Sequence, residues 1–245
     1  MLKNSARFVL ASVAAGSLLT VAAPAMAYDH VDSAINFIDN AVVNTIGSGC
    51  VINWGSMEGS TAAGAGFFIA SLSNAQGWAP ADVQAHWGMF CPSSTTLYAA
   101  IGTGTYFTQI TKAINMQADD VIVINAGSGY GGHTMMVVSP PIQIIHPINP
   151  QYAGTTQWKV VVVDSTSTAH GCTDTRWSGT CVPLAGSMDP GAGQGSVRLY
   201  TDNATGNLLG YTWSITASNT SYYSPATRPY RVGRLTGLLA GAVPR

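Results

Sequence analysis

Charge is what this chain has least of. Asp, Glu, Lys and Arg together make up 9% of its 245 residues, against roughly 25% in an average soluble domain. The formal net charge is −1, so the basic footprint that a nucleic-acid backbone demands is missing and general nucleic-acid binding is not expected. Past residue 27 no stretch approaches twenty apolar residues, so that part is not expected to span a membrane. No CxxC pair or histidine cluster accompanies the cysteines, so neither a metal site nor a cofactor is expected. A surface with so few charges repels its own copies weakly. Self-association into oligomers or filaments is therefore one expectation.

Acidic residues are also absent before Asp29. Lys3 and Arg7 form a positive beginning, an apolar stretch runs from Phe8 to Ala23, and Ala25-Met26-Ala27 has the small-x-small form of a cleavage site. Ser12, Gly16, Ser17 and Thr20 interrupt the run, and Pro24 precedes the site, which favours a cleaved leader over a membrane anchor. Residues 1–27 are thus expected to be a signal peptide, with an exported chain beginning at Tyr28 and a periplasmic, cell-surface or extracellular location. Export makes disulfides the expected state of Cys50, Cys91, Cys172 and Cys181. Cys172 and Cys181 flank a short polar segment suited to a local staple, and Cys50 and Cys91 would pair by elimination, although three connectivities are open.

Periodicity predicts an amphipathic helix over 31–46, with Val31, Ile35, Ile38, Val42 and Ile46 on one face, ended by Gly47-Ser48-Gly49. Asn53 to Gly66 is glycine-rich and turn-like, Phe67 to Leu72 a compact apolar helix, and 78–98 irregular and partly helical. Strands are expected at 121–124, 134–138, 159–163, 197–200 and 211–215. A proline-bearing loop spans 139–156. With no repeat and no linker, residues 28–245 are expected to form one α+β domain, N-terminal helices packed on an antiparallel sheet. A C-terminal tail would carry Arg228, Arg231, Arg234 and Arg245.

Three segments carry chemistry. They are Asn53-Trp54-Gly55 followed by Ala63 to Phe68; Asp119 to Ile124 followed by Gly132-His133 and its strand; and Val161 to Thr166, which contains Asp164. A histidine on one strand beside an aspartate on the next is the base-and-orienter half of a nucleophile triad. A helix N-terminus beside them would lower the pKa of a thiol.

These segments, in this order, resemble the NlpC/P60 cysteine peptidases and amidases of the cell wall. Asp120 to Ile124 and Gly132-His133 match that family's Gly-Asp-Leu-Val-Phe-Phe and Gly-His-Val stretches, and Gly66-Phe67-Phe68 matches the Gly-Phe-Val of its catalytic helix. His170-Gly171, Asp174-Thr175-Arg176 and Gly210 to Ser214 look like an exported subgroup. The resemblance implies a papain-like domain with His133 as base and Asp164 as third member. The cysteine slot, however, falls on Gly64, the preceding aspartate slot on Ala63, and the tyrosine slot on Ile52.

Glycine cannot form an acyl-enzyme. The expected protein is therefore a catalytically inactive NlpC/P60-like chain with a structural or binding role, its partners being further copies, peptidoglycan or a surface glycan. The alternative is an active cell-wall peptidase or amidase using Cys50 or Cys91 with His133 and Asp164. His86, His146 and His170 show no partner pattern and are expected to be structural. The six tryptophans, Trp54, Trp78, Trp87, Trp158, Trp177 and Trp213, are expected to pack or to line a groove.

Overall fold

The computed structural model describes residues 29–40, 44–46, 50–52, 64–180, 185–188, 190–216 and 222–236. The leader, most of the stretch from Asn53 to Gly66, and the side chains of Cys50 and Cys181 lie outside the described residues. Four helices come from the first half of the chain: α1 (His30–Asn40), α2 (Gly64–Gln76), α3 (Pro80–Trp87) and α4 (Ser94–Thr103). A small hairpin, β1 (Asn44–Ile46) with β2 (Cys50–Ile52), lies between the first two. The expected 31–46 helix therefore ends at Asn40, and Asn44 to Ile46 pairs antiparallel with Cys50 to Ile52. A short apolar run with β-branched Thr45 and Ile46 fits both periods, and pairing decides between them.

Helix α2 is apolar all round, and Gly64 to Ser73 are all buried, as expected of a helix enclosed on every side. It starts at Gly64, so the last three residues of the expected glycine-rich turn are helical. Helix α4 begins where the Ser93 hydroxyl accepts from the Thr96 N–H at 3.2 Å and ends at Gly104 in the left-handed region.

The remaining strands are β3 (Phe107–Ile110), β4 (Val121–Ile124), β5 (His133–Val137), β6 (Ile142–Gln143), β7 (Thr155–Thr166), β8 (Trp177–Thr180), β9 (Ala185–Met188), β10 (Gly191–Asp202), β11 (Leu208–Thr212), β12 (Tyr222–Tyr223) and β13 (Tyr230–Leu235). Nine of them form one antiparallel sheet in the order β12-β11-β10-β7-β5-β4-β13-β3, with β6 on β7, while β8 and β9 make a separate hairpin. The α+β class with an antiparallel sheet is thus observed. The strands expected at 121–124, 134–138, 159–163 and 197–200 are present, with β7 and β10 longer than expected, while the one expected at 211–215 lies three residues earlier, at Leu208–Thr212. The basic C-terminal segment differs from expectation: Arg231 and Arg234 lie in β13, inside the sheet between β4 and β3. Arg234 bonds both oxygens of buried Asp120 at 2.8 and 3.0 Å.

The sheet curls. Leu208 N–H donates to Thr111 C=O at 2.8 Å and Lys112 bridges to Asn207, joining the continuation of β3 to the start of β11. Side chains alternate across the strands. Val160, Val162, Val197 and Leu199 enter an inner cluster with Ile122, Met135 and Val137. Val163, Ala192, Val123 and Met136 face outward into a cluster with α1, α2 and α4.

Candidate functional site

At the C-terminal end of β7 and the start of β10, the inner face stops being apolar. Asp164 continues the row of Val160 and Val162, and opposite it β10 offers Gly193 and Gly195 where side chains would otherwise stand. The segment 167–176 lies directly on this bare patch. A Cβ at Gly193 would come within 2.7 Å of the Arg176 side chain, and one at Gly195 within 2.7 Å of His170 Cβ. The glycines are therefore what admit the loop.

Asp164, fully buried, is the hub. His133 Nε2 donates to its Oδ2 at 2.6 Å, His170 Nε2 approaches the same oxygen at 3.0 Å, and Arg176 Nη2 donates to Oδ1 at 2.9 Å. Arg176 also holds Asp174 through Nε at 2.8 Å and Nη2 at 2.8 Å, and its Nη1 donates to Gly191 C=O at 2.9 Å. His170 Nδ1 lies 2.8 Å from the Trp213 carbonyl oxygen. Both nitrogens of His170 thus face oxygen atoms. Trp213 closes the cluster, its ring 5.1 Å from that of His133 and 4.2 Å from that of His170, with its Nε1 donating to Thr168 C=O.

Burial alone would push the Asp164 carboxyl up. His170, Arg176 and the hydrogen bonds from the two histidines outweigh it and hold the group well below the usual carboxylate range. Burial likewise opposes the charge of Arg176, but Asp164 and Asp174 more than offset it and raise its pKa.

The pairing of His133 with Asp164, expected from the sequence, is present. With Nε2 donating to a carboxylate, the imidazole presents Nδ1 on its other side, the geometry of an oriented base. Gly64, the first residue of α2, lies against it: a Cβ there would be 2.8 Å from His133 Cε1 and would overlap the carbonyl oxygen of Thr134. Helix and strand are too close for any side chain at residue 64. Cys91 packs at the edge of the outer cluster and is disulfide-bonded, and no free cysteine is found among the described residues.

His170, expected to have no partner pattern, does have one: it is joined to Asp164, and Arg176 and Asp174 come with it. The signals were the Gly191-x-Gly193-x-Gly195 alternation and the placement of His170, Asp174 and Arg176 just after Asp164. His86 stacks on Trp78 at 4.2 Å and His146 is exposed in the proline loop, both away from the cluster. Among the described tryptophans, Trp213 packs on both histidines of the cluster, the Trp177 backbone N–H donates to Asp174 C=O at 3.0 Å, Trp87 is buried in the outer core, and Trp158 bonds Thr201 through its indole N–H. Among the described residues no group of three His, Cys, Asp or Glu is arranged to hold a metal.

No family model matches the chain, and no solved structure matches it. It is similar to "Uncharacterized protein R653" of Acanthamoeba polyphaga mimivirus, 31% identical over 153 residues, covering 59% of this chain. The match spans 64% of that protein's length.

Proposed function

We propose that this chain is an exported, catalytically silent domain of the papain-like NlpC/P60 type that binds or builds outside the cell instead of cutting. The observation that carries the reading is at Gly64. The helix start that would present a nucleophile to His133 has no side chain, and the Thr134 backbone fills the space one would need. Charge supports the same conclusion. A triad carboxylate stabilises the imidazolium that forms when histidine takes a proton. Asp164 already faces the Arg176 guanidinium and a second imidazole, so little of its charge is left for His133. The bonded state of Cys91 removes one of the two thiols that an active cysteine peptidase would call on.

The test is incubation of the exported chain with cell-wall peptides, product release being followed by mass spectrometry. No release above buffer is expected, and Gly64→Cys is expected to add none, because the new side chain meets the Thr134 carbonyl. Release that disappears in His133→Ala would overturn the reading. N-terminal sequencing of exported material checks the leader, with Tyr28 expected first.

A further inference from the structure

The loop between β5 and β7 is anchored by buried side chains on its inner side and carries apolar residues on its outer side. Buried Arg198 donates from Nη1 to Ile148 C=O at 2.6 Å and from Nη2 to Asn149 C=O at 2.8 Å. Gln157, 2% exposed, accepts from Ile148 N–H at 2.8 Å and donates to the carbonyls of Ile148 and Pro150. The Tyr200 hydroxyl donates to Pro150 C=O at 2.7 Å. Held in this way, the loop turns Ile142, Ile145, Ile148 and Tyr152 outward at 62, 73, 37 and 40% exposure. These are four of the seven large hydrophobic residues exposed among the described residues. An apolar patch on a pre-shaped support loses little conformational freedom on docking.

We infer that this loop is the surface through which two copies of the chain associate. The inference rests on the binding or structural reading above and names its surface and partner. The choice of a second copy comes from charge. From Val121 to Trp158 the sequence contains no Asp, Glu, Lys or Arg, and Lys159, opposite Ile142, is the charge that borders the patch, so a charged partner finds little to pair with. A two-fold interface sets the same patch against itself, and this costs little where a single lysine at the edge is the charge to be kept apart from its copy. The edge agrees, since among the described residues β6 pairs with β7 alone and has no strand on its other side. Its residues Ile142 and Gln143 are exposed.

The experiment is sedimentation equilibrium of the exported chain from about 1 to 500 μM, a range chosen to bracket a weak homodimer. Wild type is compared with Ile145→Asp, Ile142→Lys and Met89→Asp. Met89 is also exposed, on the link between α3 and α4, and serves as control. All three sites face solvent, so native near-UV spectra are expected. Wild type should associate reversibly, Ile145→Asp and Ile142→Lys should each weaken association at least about tenfold, and Met89→Asp should not. A wild type that stays monomeric throughout, or an Ile145→Asp variant that associates as well as wild type, overturns the inference. So does a monomer that instead sediments with insoluble cell wall through Ile145, which would assign the loop to that ligand. A monomeric, inert protein would leave the silent-domain reading standing. Peptide release that depends on His133 would overturn that reading and leave the interface untouched.

Discussion

Arg176 and Arg198 are buried to the same degree, at 1% and 0% exposure, and both pin a loop to the strand pair β7–β10. Their partners differ in kind. Arg176 meets two carboxylates on the inner face, whereas Arg198 meets the carbonyls of Ile148 and Asn149, the Gln157 amide oxygen at 3.4 Å and the Thr212 hydroxyl at 3.2 Å on the outer face. The consequence shows in their basicity. Carboxylates raise the pKa of Arg176, while burial lowers that of Arg198, with Tyr200 and Tyr152 opposing it only in part. One arginine balances charge. The other uses its fork of donors to impose a shape.

The widest separation of the two should come from truncation. Arg176→Met leaves Asp164 and Asp174 buried without their cation, and breaking a buried pair in this way costs about 3–5 kcal/mol. Chemical unfolding should show the loss as a lower midpoint with an unchanged slope. Arg198→Met removes donors from neutral oxygens only, each worth about 1–3 kcal/mol when left unsatisfied. Water reaches the exposed side of the loop, so a total near the lower end of that range is expected. Hydrogen exchange should quicken at the amides of Ile144 and Ile148 in Arg198→Met, and at those of His170 and Arg176 in Arg176→Met.

Acid should distinguish them next. The folded-state pKa of Asp164 is depressed, so its contribution is present above the unfolded value of about 3.9. That stability is lost as pH falls through the folded pKa, and the carboxylate cluster opens while the Arg198 loop, with no carboxylate, keeps its bonds. His30 acts in a higher window. Burial lowers it from 6.5 to about 3, against a weaker opposing pull from Asp119, and neither ring nitrogen has a hydrogen-bond partner. The unfolded chain therefore takes up a proton that the folded one refuses, and stability falls from about pH 6.5 downward. His30→Leu should flatten the slope between roughly pH 6.5 and 4, leaving only the steeper loss below it. Urea midpoints measured across pH test both windows.

The two arginines also mark the boundary of what could be read beforehand. The strands of the sheet were legible because Val121 to Ile124 and Val160 to Val163 are β-branched runs bounded by turn residues. His133 and Asp164 were legible because their flanking segments keep a recognisable order. Arg198 is not distinguishable from a surface residue in the sequence, since a lone Arg in a strand reads as solvated and nothing local says that a loop will cover it, whereas Arg176 stands in a turn segment whose burial depends on the bare strand beneath it. The partner of His170 is hidden for a similar reason: Asp164 is six residues back in sequence but is reached only because Gly193 and Gly195 leave the strand bare. The short run after α1 was misread because two periods fit it, and only pairing with Cys50 to Ile52 resolves them. Strand β13 was read as a tail because Arg231 and Arg234 mask its apolar alternation, although Val232 and Leu235 are buried.

The smallest effect tests whether shape alone is what the outer cluster provides. Tyr200→Phe keeps the ring, which packs edge-on to Tyr152 at 5.7 Å and Tyr222 at 5.0 Å, and removes only the hydroxyl that donates to Pro150 C=O. A loss of about 0.5 kcal/mol is expected, less than for Arg198→Met because Gln157 Nε2 still donates to the same carbonyl at 3.1 Å. If the loop is a platform set by redundant neutral bonds, association through Ile145 should survive this substitution and weaken in Arg198→Met. Equal weakening in both would mean that each bond is needed, and that the loop has no reserve of stability.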